Sequence, residues 1–293
     1  MYPVVRGFFY LLSLLPWKIL YFFSDCIYVL VYYVIGYRKE VVMQNLSIAF
    51  PEKTIQERKR IAKEFYHQLI DTFIETIKLI SISKPKLRKH VNANLEKLDE
   101  LYATGQSVVL TSGHFFNWEF ANLLASAYGR YTLVGVYTSV SNKIFDRLMK
   151  EIRCRFGTVL IPVSEFRRTY PRYKEIQHAI GLIADQNPAN PMDGFWYPFF
   201  GKMAPFAKGP ERNAKSMNAA VVLVNFYRTK RGHYDVEFSE LTTNPRETSE
   251  GEITRSLVHF VEKCVRENPS NYLWSHRRWK HRFDPEKHAH LVI

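Results

Sequence analysis

The sequence predicts an α/β protein with a central mixed sheet flanked by helices and an N-terminal membrane-associated helical segment. Three observations lead there. Beyond Pro85, short apolar runs alternate with helix-patterned stretches, an order that builds a sheet covered by helices. The chain has 293 residues, near the upper limit for a single hydrophobic core, so one large domain over residues 38–293 with an appendage over residues 1–37 is more economical than two domains. That appendage is dominated by Phe, Leu, Ile, Val, Tyr and Trp from Gly7 to Tyr37.

In order, Pro16, Lys18 and Asp25 interrupt the N-terminal run before about 20 clean apolar residues are reached, leaving open whether it spans a bilayer or lies in one leaflet. No small-x-small cleavage site follows it, so we expect it to stay attached. Arg38 and Lys39 come next, and basic residues at the end of an apolar segment favour the cytoplasmic side. Between Glu52 and Ile80, Ile61, Phe65, Leu69, Phe73 and Ile77 recur at helical spacing. Ser107 to Ser112 reads as a buried strand, Asn117 to Tyr128 as a helix and Tyr131 to Tyr137 as a strand. Lys143 to Phe156 reads as helix, Thr158 to Val163 as strand, Arg168 to His178 as helix and Ala179 to Ala184 as strand. Asp185 to Lys208, rich in Pro, Gly, Asn and aromatics, reads as a long loop of the kind that borders a site. A helix from Asn213 to Asn218, strands at Ala219–Tyr227 and His233–Phe238 around Lys230-Arg-Gly232, and a helix from Ser249 to Glu267 complete the pattern.

Composition narrows the function classes. Hydrophobic residues make up 46% of the chain, which excludes wholesale disorder. The net charge of +13 points to an acidic partner: nucleic acid, anionic headgroups or an acidic protein. Cys26, Cys154 and Cys264 are odd in number and far apart, so neither a disulfide framework nor a zinc site is expected.

Chemistry concentrates in Thr111-Ser-Gly-His-Phe-Phe-Asn-Trp-Glu-Phe120. His114 follows a strand and the flexible Gly113, which puts its imidazole at the carboxyl end of a sheet strand, where α/β folds hold ligands. Glu119 comes five positions later; the two can meet only if His114 is in the loop and Glu119 on the helix. So paired, Glu119 would accept a hydrogen bond from one imidazole nitrogen while the other acts as general base. A substrate hydroxyl or amine, once deprotonated, can attack an activated acyl group directly, without an enzyme nucleophile. No His-Glu-x-x-His spacing is present, and we expect neither a metal nor a cofactor.

The block Gly113-His-Phe-Phe-Asn-Trp-Glu119 resembles the His-x-x-x-x-Asp/Glu motif of glycerolipid-type acyltransferases, most of all the late acyltransferases of lipid A that add lauroyl or myristoyl chains. Further blocks are similar in the same order: Tyr37-Arg-Lys with Asn45-Leu-Ser-Ile-Ala-Phe-Pro51, Ile152-Arg-Cys-Arg-Phe-Gly157, Ala184-Asp-Gln186, Pro198-Phe-Phe-Gly201 and Tyr272-Leu-Trp-Ser-His-Arg-Arg-Trp-Lys280. One departure is Phe116, where that family often has glycine; a ring there would narrow the acyl or acceptor pocket.

The resemblance implies a glycerolipid acyltransferase-like catalytic domain and a cytoplasmic (inner) membrane location facing the cytoplasm. It implies an acyl carrier protein or acyl-CoA donor, a membrane glycolipid acceptor and no nucleic-acid partner. It implies His114 and Glu119 as catalytic residues, Arg153 at the acceptor phosphate or reacting acyl group, and Asp185 and Gln186 in substrate binding. For Asp185 the residues themselves allow a second reading, a turn or helix cap. Trp274 and Trp279 among His276, Arg277, Arg278, Lys280, His281 and Arg282 read as a headgroup-contacting cluster. Two other functions are compatible with the sequence: the same chemistry on a lyso-aminolipid or lysophospholipid, and a non-catalytic basic membrane adaptor.

Overall fold

Five consecutive buried residues, Val108–Ser112, form a strand at the heart of the sheet, consistent with a segment covered on both faces. The computed structural model of the chain describes residues 1–173 and 175–293. Its strands are β1 (Val91–Ala93), β2 (Val108–Ser112), β3 (Thr132–Tyr137), β4 (Val159–Pro162), β5 (His178–Ile183), β6 (Gly194–Phe199), β7 (Lys202–Ala207), β8 (Ala220–Lys230) and β9 (His233–Thr242). Its helices are α1 (Tyr2–Leu14), α2 (Trp17–Val29), α3 (Lys39–Ala49), α4 (Ile55–Lys78), α5 (Lys84–His90) and α6 (Glu96–Ala103). They continue with α7 (Trp118–Tyr128), α8 (Lys143–Arg153), α9 (Phe166–Thr169), α10 (Gly209–Met217), α11 (Glu252–Glu267) and α12 (Pro285–His288).

Seven strands form one sheet in the order β1-β9-β8-β2-β5-β3-β4. Every pairing is parallel except the β8–β9 hairpin, so the sheet is mixed, as expected. Helices cover both faces of the sheet: Phe120, Leu123 and Leu124 of α7 join one core with Val258 and Val261 of α11, while Ala214 of α10 packs with Val109 and Ile180 in another.

Two expectations fail in the second half. Arg168 to His178 is not one helix: α9 is short, a 3₁₀ turn covers Tyr170–Tyr173, and β5 begins at His178. Position 174 of that stretch lies outside the described residues. The supposed loop from Asp185 to Lys208 contains an antiparallel hairpin, β6–β7, turned through Phe200 and Gly201 at positive φ. Pro198 and Pro205 within its strands hid it, because proline is confined to strands whose N–H is not needed.

The N-terminal segment is built from α1, a break at Pro16 and α2, which runs into a wider π-helical turn at Leu30–Ile35 ended by Gly36 at φ 64°. Trp17–Ile35 is 19 residues long with mean hydropathy 1.6, the one helix among the described residues long and apolar enough to cross a membrane. It is pinned sideways on α4. Leu20 packs on Ile70 and Ile74, the Ser24 hydroxyl donates to Asp71 Oδ1 at 2.6 Å, and Tyr32 meets Tyr66 edge-on. The Tyr21 hydroxyl donates to the buried Glu75, and Asp25 pairs at 2.6 Å with Arg231 at the β8–β9 turn. The opposite face exposes Ile19, Phe22, Phe23, Ile27, Leu30 and Val34. Helix α4 itself opens with a reciprocal cap between Thr54 and Glu57.

Candidate active site

Strands β2 and β5 lie side by side in parallel, with Ser112 opposite Ile183. Two residues past each partner stand His114 and Asp185, so strand register brings together side chains 71 positions apart, at the carboxyl edge of the sheet. His114 Nδ1 donates to Asp185 Oδ1 at 2.5 Å. A carboxylate can only accept, which puts the proton on Nδ1 and leaves Nε2 as a base with no hydrogen-bond partner among the described residues.

Asp185 is fully buried and the His114 side chain 27% exposed, so the acid is shielded while the imidazole is partly open to its surroundings. Burial pushes the Asp185 carboxyl up, but the charge and hydrogen bonds of His114, helped by the Tyr272 hydroxyl, outweigh it and hold it at about 2. Tyr272 stands beside that carboxyl outside ideal hydrogen-bond geometry, and Oδ2 has no partner among the described residues.

The histidine loop is fixed by a distant segment. Leu273 N–H donates to the His114 carbonyl at 3.1 Å, Phe116 N–H donates to the Asn271 carbonyl at 3.1 Å, and Phe115 bridges to Tyr272. A Cβ at Gly113 would come within 3.0 Å of Val261 Cγ1 and 3.1 Å of Phe115 Cζ, so the turn has little room for a side chain. Ser112 adds a 2.5 Å hydrogen bond to the Val224 carbonyl on the neighbouring strand. The buried Phe116 ring, noted as a departure from the family pattern, packs on Phe65 of α4 at 5.7 Å between centroids.

The expected hydrogen bond between His114 and Glu119 is not formed. Glu119, in the first turn of α7, reaches to the end of α8, where Arg153 holds it bidentately: Nη2 to Oε1 at 2.6 Å, Nε to Oε1 at 3.0 Å and Nε to Oε2 at 3.1 Å. Burial pushes the Glu119 carboxyl up, against the charge and hydrogen bonds of Arg153. The guanidinium also lies 4.5 Å from the centre of the Trp118 ring. Arg153, expected at a substrate phosphate or acyl group, thus has a protein carboxylate as its partner. Asp185, which allowed a reading as a turn cap, is instead the partner of the imidazole.

Gln186 borders a cleft of about 500 Å³ with Arg38, Ser275 and His276 and with the apolar Val31, Ile35, Leu69, Ile70, Phe73 and Leu273. Burial and the nearby Arg278 charge push the His276 imidazole down to about 4, so it is neutral and its Nε2 accepts from Asn187.

The C-terminal block, expected as a headgroup-contacting cluster, is interior at two of its positions. Trp274 and Arg278 are 1% exposed; Arg277, Lys280 and Arg282 remain outside. Arg278 donates to Asn187 Oδ1 at 2.8 Å and to the Pro205 carbonyl at 2.9 Å, and lies over the Phe206 ring. Burial brings it down to about 10. It ties the Asp185-Gln186-Asn187 segment to the β6–β7 hairpin. Asn45 clasps the same block by donating to the Trp274 and His276 carbonyls, both at 2.7 Å, and Arg38 donates to the Ser275 carbonyl at 3.0 Å. Sequence reasoning missed these clamps, because each joins residues 73 to 237 positions apart.

A second buried network approaches from behind. Glu75, fully buried, accepts from Tyr21, from Tyr234 and from Asn117, the residue just before α7 and three positions after His114.

The family of bacterial lipid A biosynthesis acyltransferases matches residues 3–281. The lipid A biosynthesis palmitoleoyltransferase of Escherichia coli K12 is 22% identical over 280 residues, covering 94% of this chain and 90% of the relative. The lauroyltransferase of the same strain is 23% identical over 284 residues, with 94% and 90% covered. A lipid A biosynthesis acyltransferase of Haemophilus influenzae is 24% identical over 252 residues, with 84% and 79% covered. The chain therefore belongs to the family of bacterial lipid A biosynthesis acyltransferases.

Proposed function

We propose that the enzyme moves a fatty acyl chain from the thioester of acyl carrier protein, or of CoA, to a hydroxyl of a lipid A-type glycolipid, with His114 as general base and Asp185 as its orienting partner. The observation that carries this is the 2.5 Å hydrogen bond from His114 Nδ1 to a buried carboxylate, on a side chain that is 27% exposed, which leaves Nε2 to act as the base. In the step, Nε2 takes the hydroxyl proton as the oxygen attacks the thioester carbonyl carbon. The tetrahedral intermediate collapses, the C–S bond breaks, and the imidazolium returns its proton to the leaving thiolate. The products are an ester and a free thiol. Asp185 fixes the tautomer and stabilises the imidazolium.

Glu119 and Arg153 act as a brace that fixes α7, and with it the histidine loop, against α8. A general base contributes about 10² to 10⁴ in rate, and one donor to the thioester oxyanion about 2.7 to 4 kcal/mol. The Gly113 amide is our candidate donor.

Residues 1–37 serve as the membrane anchor of the catalytic domain, 38–293, which faces the cytoplasm. We favour α2 lying in one leaflet. It is bound along its side from Trp17, against His90, to Tyr32, against Tyr66. A spanning helix would carry Asp71, Arg228 and Arg231 into hydrocarbon, at a cost of several kcal/mol. Arg38 and Lys39 would then meet the anionic headgroups of that leaflet.

Incubating purified protein with acyl-thioester donors and a panel of acceptors, read by mass spectrometry, tests the reaction. One added chain on a lipid A precursor supports this reading; acylation confined to lysophospholipid or lyso-aminolipid favours the alternative acceptor.

A further inference from the structure

Helix α4 carries an apolar stripe of which Phe65 and Leu69 are buried, yet Phe73, next on that stripe, is 55% exposed. It stands in the gap between α4 and the π-helical end of α2, where Val31, Ile35, Leu69 and Ile70 form the rest of an apolar wall. Ile35 is 62% exposed and adjoins Val34, 73% exposed, so the wall continues without a break into the apolar face of the N-terminal helix. The other end is polar and lined by Arg38, which is exposed, and by Gln186, Ser275 and His276. Gln186 follows Asp185, and Leu273, on the same wall, is bonded through its N–H to the His114 carbonyl. The cleft therefore runs from the surface assigned to the bilayer to the backbone beside the catalytic pair. Its volume of about 500 Å³ falls within the range of about 300 to 1,000 Å³ typical of ligand sites.

We propose that this cleft is the lateral portal for the acceptor lipid: one of its acyl chains lies along Val31, Ile35, Leu69, Ile70 and Phe73, and its polar head meets Arg38, Gln186 and His276. The occupant is the acceptor and not the donor chain, for two reasons. The open end is continuous with the apolar helix face, where a membrane-resident lipid already is, whereas a carrier-bound thioester arrives from water. The polar end also offers a fixed cation and neutral donors and acceptors, which suit a phosphorylated or hydroxylated headgroup and have no partner on a saturated chain. A lipid entering here keeps its chain in hydrocarbon while its head lies beside the segment that carries Asp185 and Gln186.

This assignment rests on the acyl-transfer reading above, so wild-type turnover with a lipid A precursor in mixed micelles is established first; if that is absent, the reading itself fails. With turnover in hand, Ile35→Trp and Phe73→Trp, both at exposed positions that tolerate a larger ring, narrow the portal. Ile55→Trp, exposed at the first turn of α4 and outside the cleft, is the control. We expect KM for the acceptor to rise about tenfold, the equivalent of about 1.4 kcal/mol, in Ile35→Trp and Phe73→Trp, with the donor KM unchanged and Ile55→Trp at wild-type values. A rise in the donor KM alone would assign the cleft to the donor chain and overturn the proposal. So would equal acceptor KM values in all four proteins, or an equal rise in the control.

Discussion

Replacing Asp185 by Asn keeps the size of the side chain and removes its charge. The carboxylate is fully buried and held at about 2, against an ordinary value of 3.8, which amounts to roughly 2 kcal/mol of preference for the anion. That anion faces the imidazole across 2.5 Å. An amide either accepts from Nδ1 without stabilising the imidazolium, or donates to Nδ1 and moves the proton to Nε2, where the base is lost. Both outcomes strike the transition state, so kcat should fall by about 10² to 10⁴, equivalent to about 2.7 to 5.4 kcal/mol, with the acceptor KM little changed. The assay is steady-state acyl transfer read by mass spectrometry, with Glu119→Gln run in parallel. If Asp185→Asn keeps kcat within about threefold of wild type while Glu119→Gln collapses it, the imidazole's working partner is Glu119 and the dyad drawn here is wrong.

Other consequences concern stability. Because the Asp185 carboxyl is lower in the folded chain than in the unfolded one, its contribution is present above about pH 4 and lost as pH falls toward 2; Asp185→Asn should flatten that part of a stability-versus-pH curve measured by denaturant titration. Glu119→Met strands a largely buried Arg153 and should cost about 3 to 5 kcal/mol, whereas adding Arg153→Met should recover most of it in a double-mutant cycle; additive losses would deny the coupling. Asn45→Ala leaves the Trp274 and His276 carbonyls without their donor and should lower stability by about 1 to 3 kcal/mol by thermal melt. Gly113→Ala forces a Cβ to 3.0 Å from Val261 and should cost about 1 to 3 kcal/mol, with a loss of kcat as the loop shifts.

Much of the fold was legible because its signals are local. The all-apolar Val108–Leu110, the helical spacing in α4 and the Lys230-Arg-Gly232 turn each announce their element within a few residues. Hairpin β6–β7 was not, since its prolines and glycines read as loop while its pairing comes from packing against the C-terminal block. At the site, His114 stood out through its position after a strand and a glycine. Its partner did not, because which carboxylate it meets depends on β5 lying beside β2, a matter of strand order that no local pattern encodes. Glu119 drew the pairing by nearness in sequence. Its helix turns it toward α8, and only the placement of Arg153 reveals that. Trp274 and Arg278 likewise looked like surface chemistry, and the contacts that bury them come from Asn187, Pro205 and the Phe206 ring.

The measurement that bears most directly on His114 as the general base is single-turnover acyl transfer by His114→Ala. Removing the imidazole also leaves Asp185 buried without its partner, so folding is checked by circular dichroism and vesicle co-sedimentation. We predict a folded, vesicle-bound protein with no transfer to a lipid A precursor above the uncatalysed background. Transfer at the wild-type rate would contradict the account.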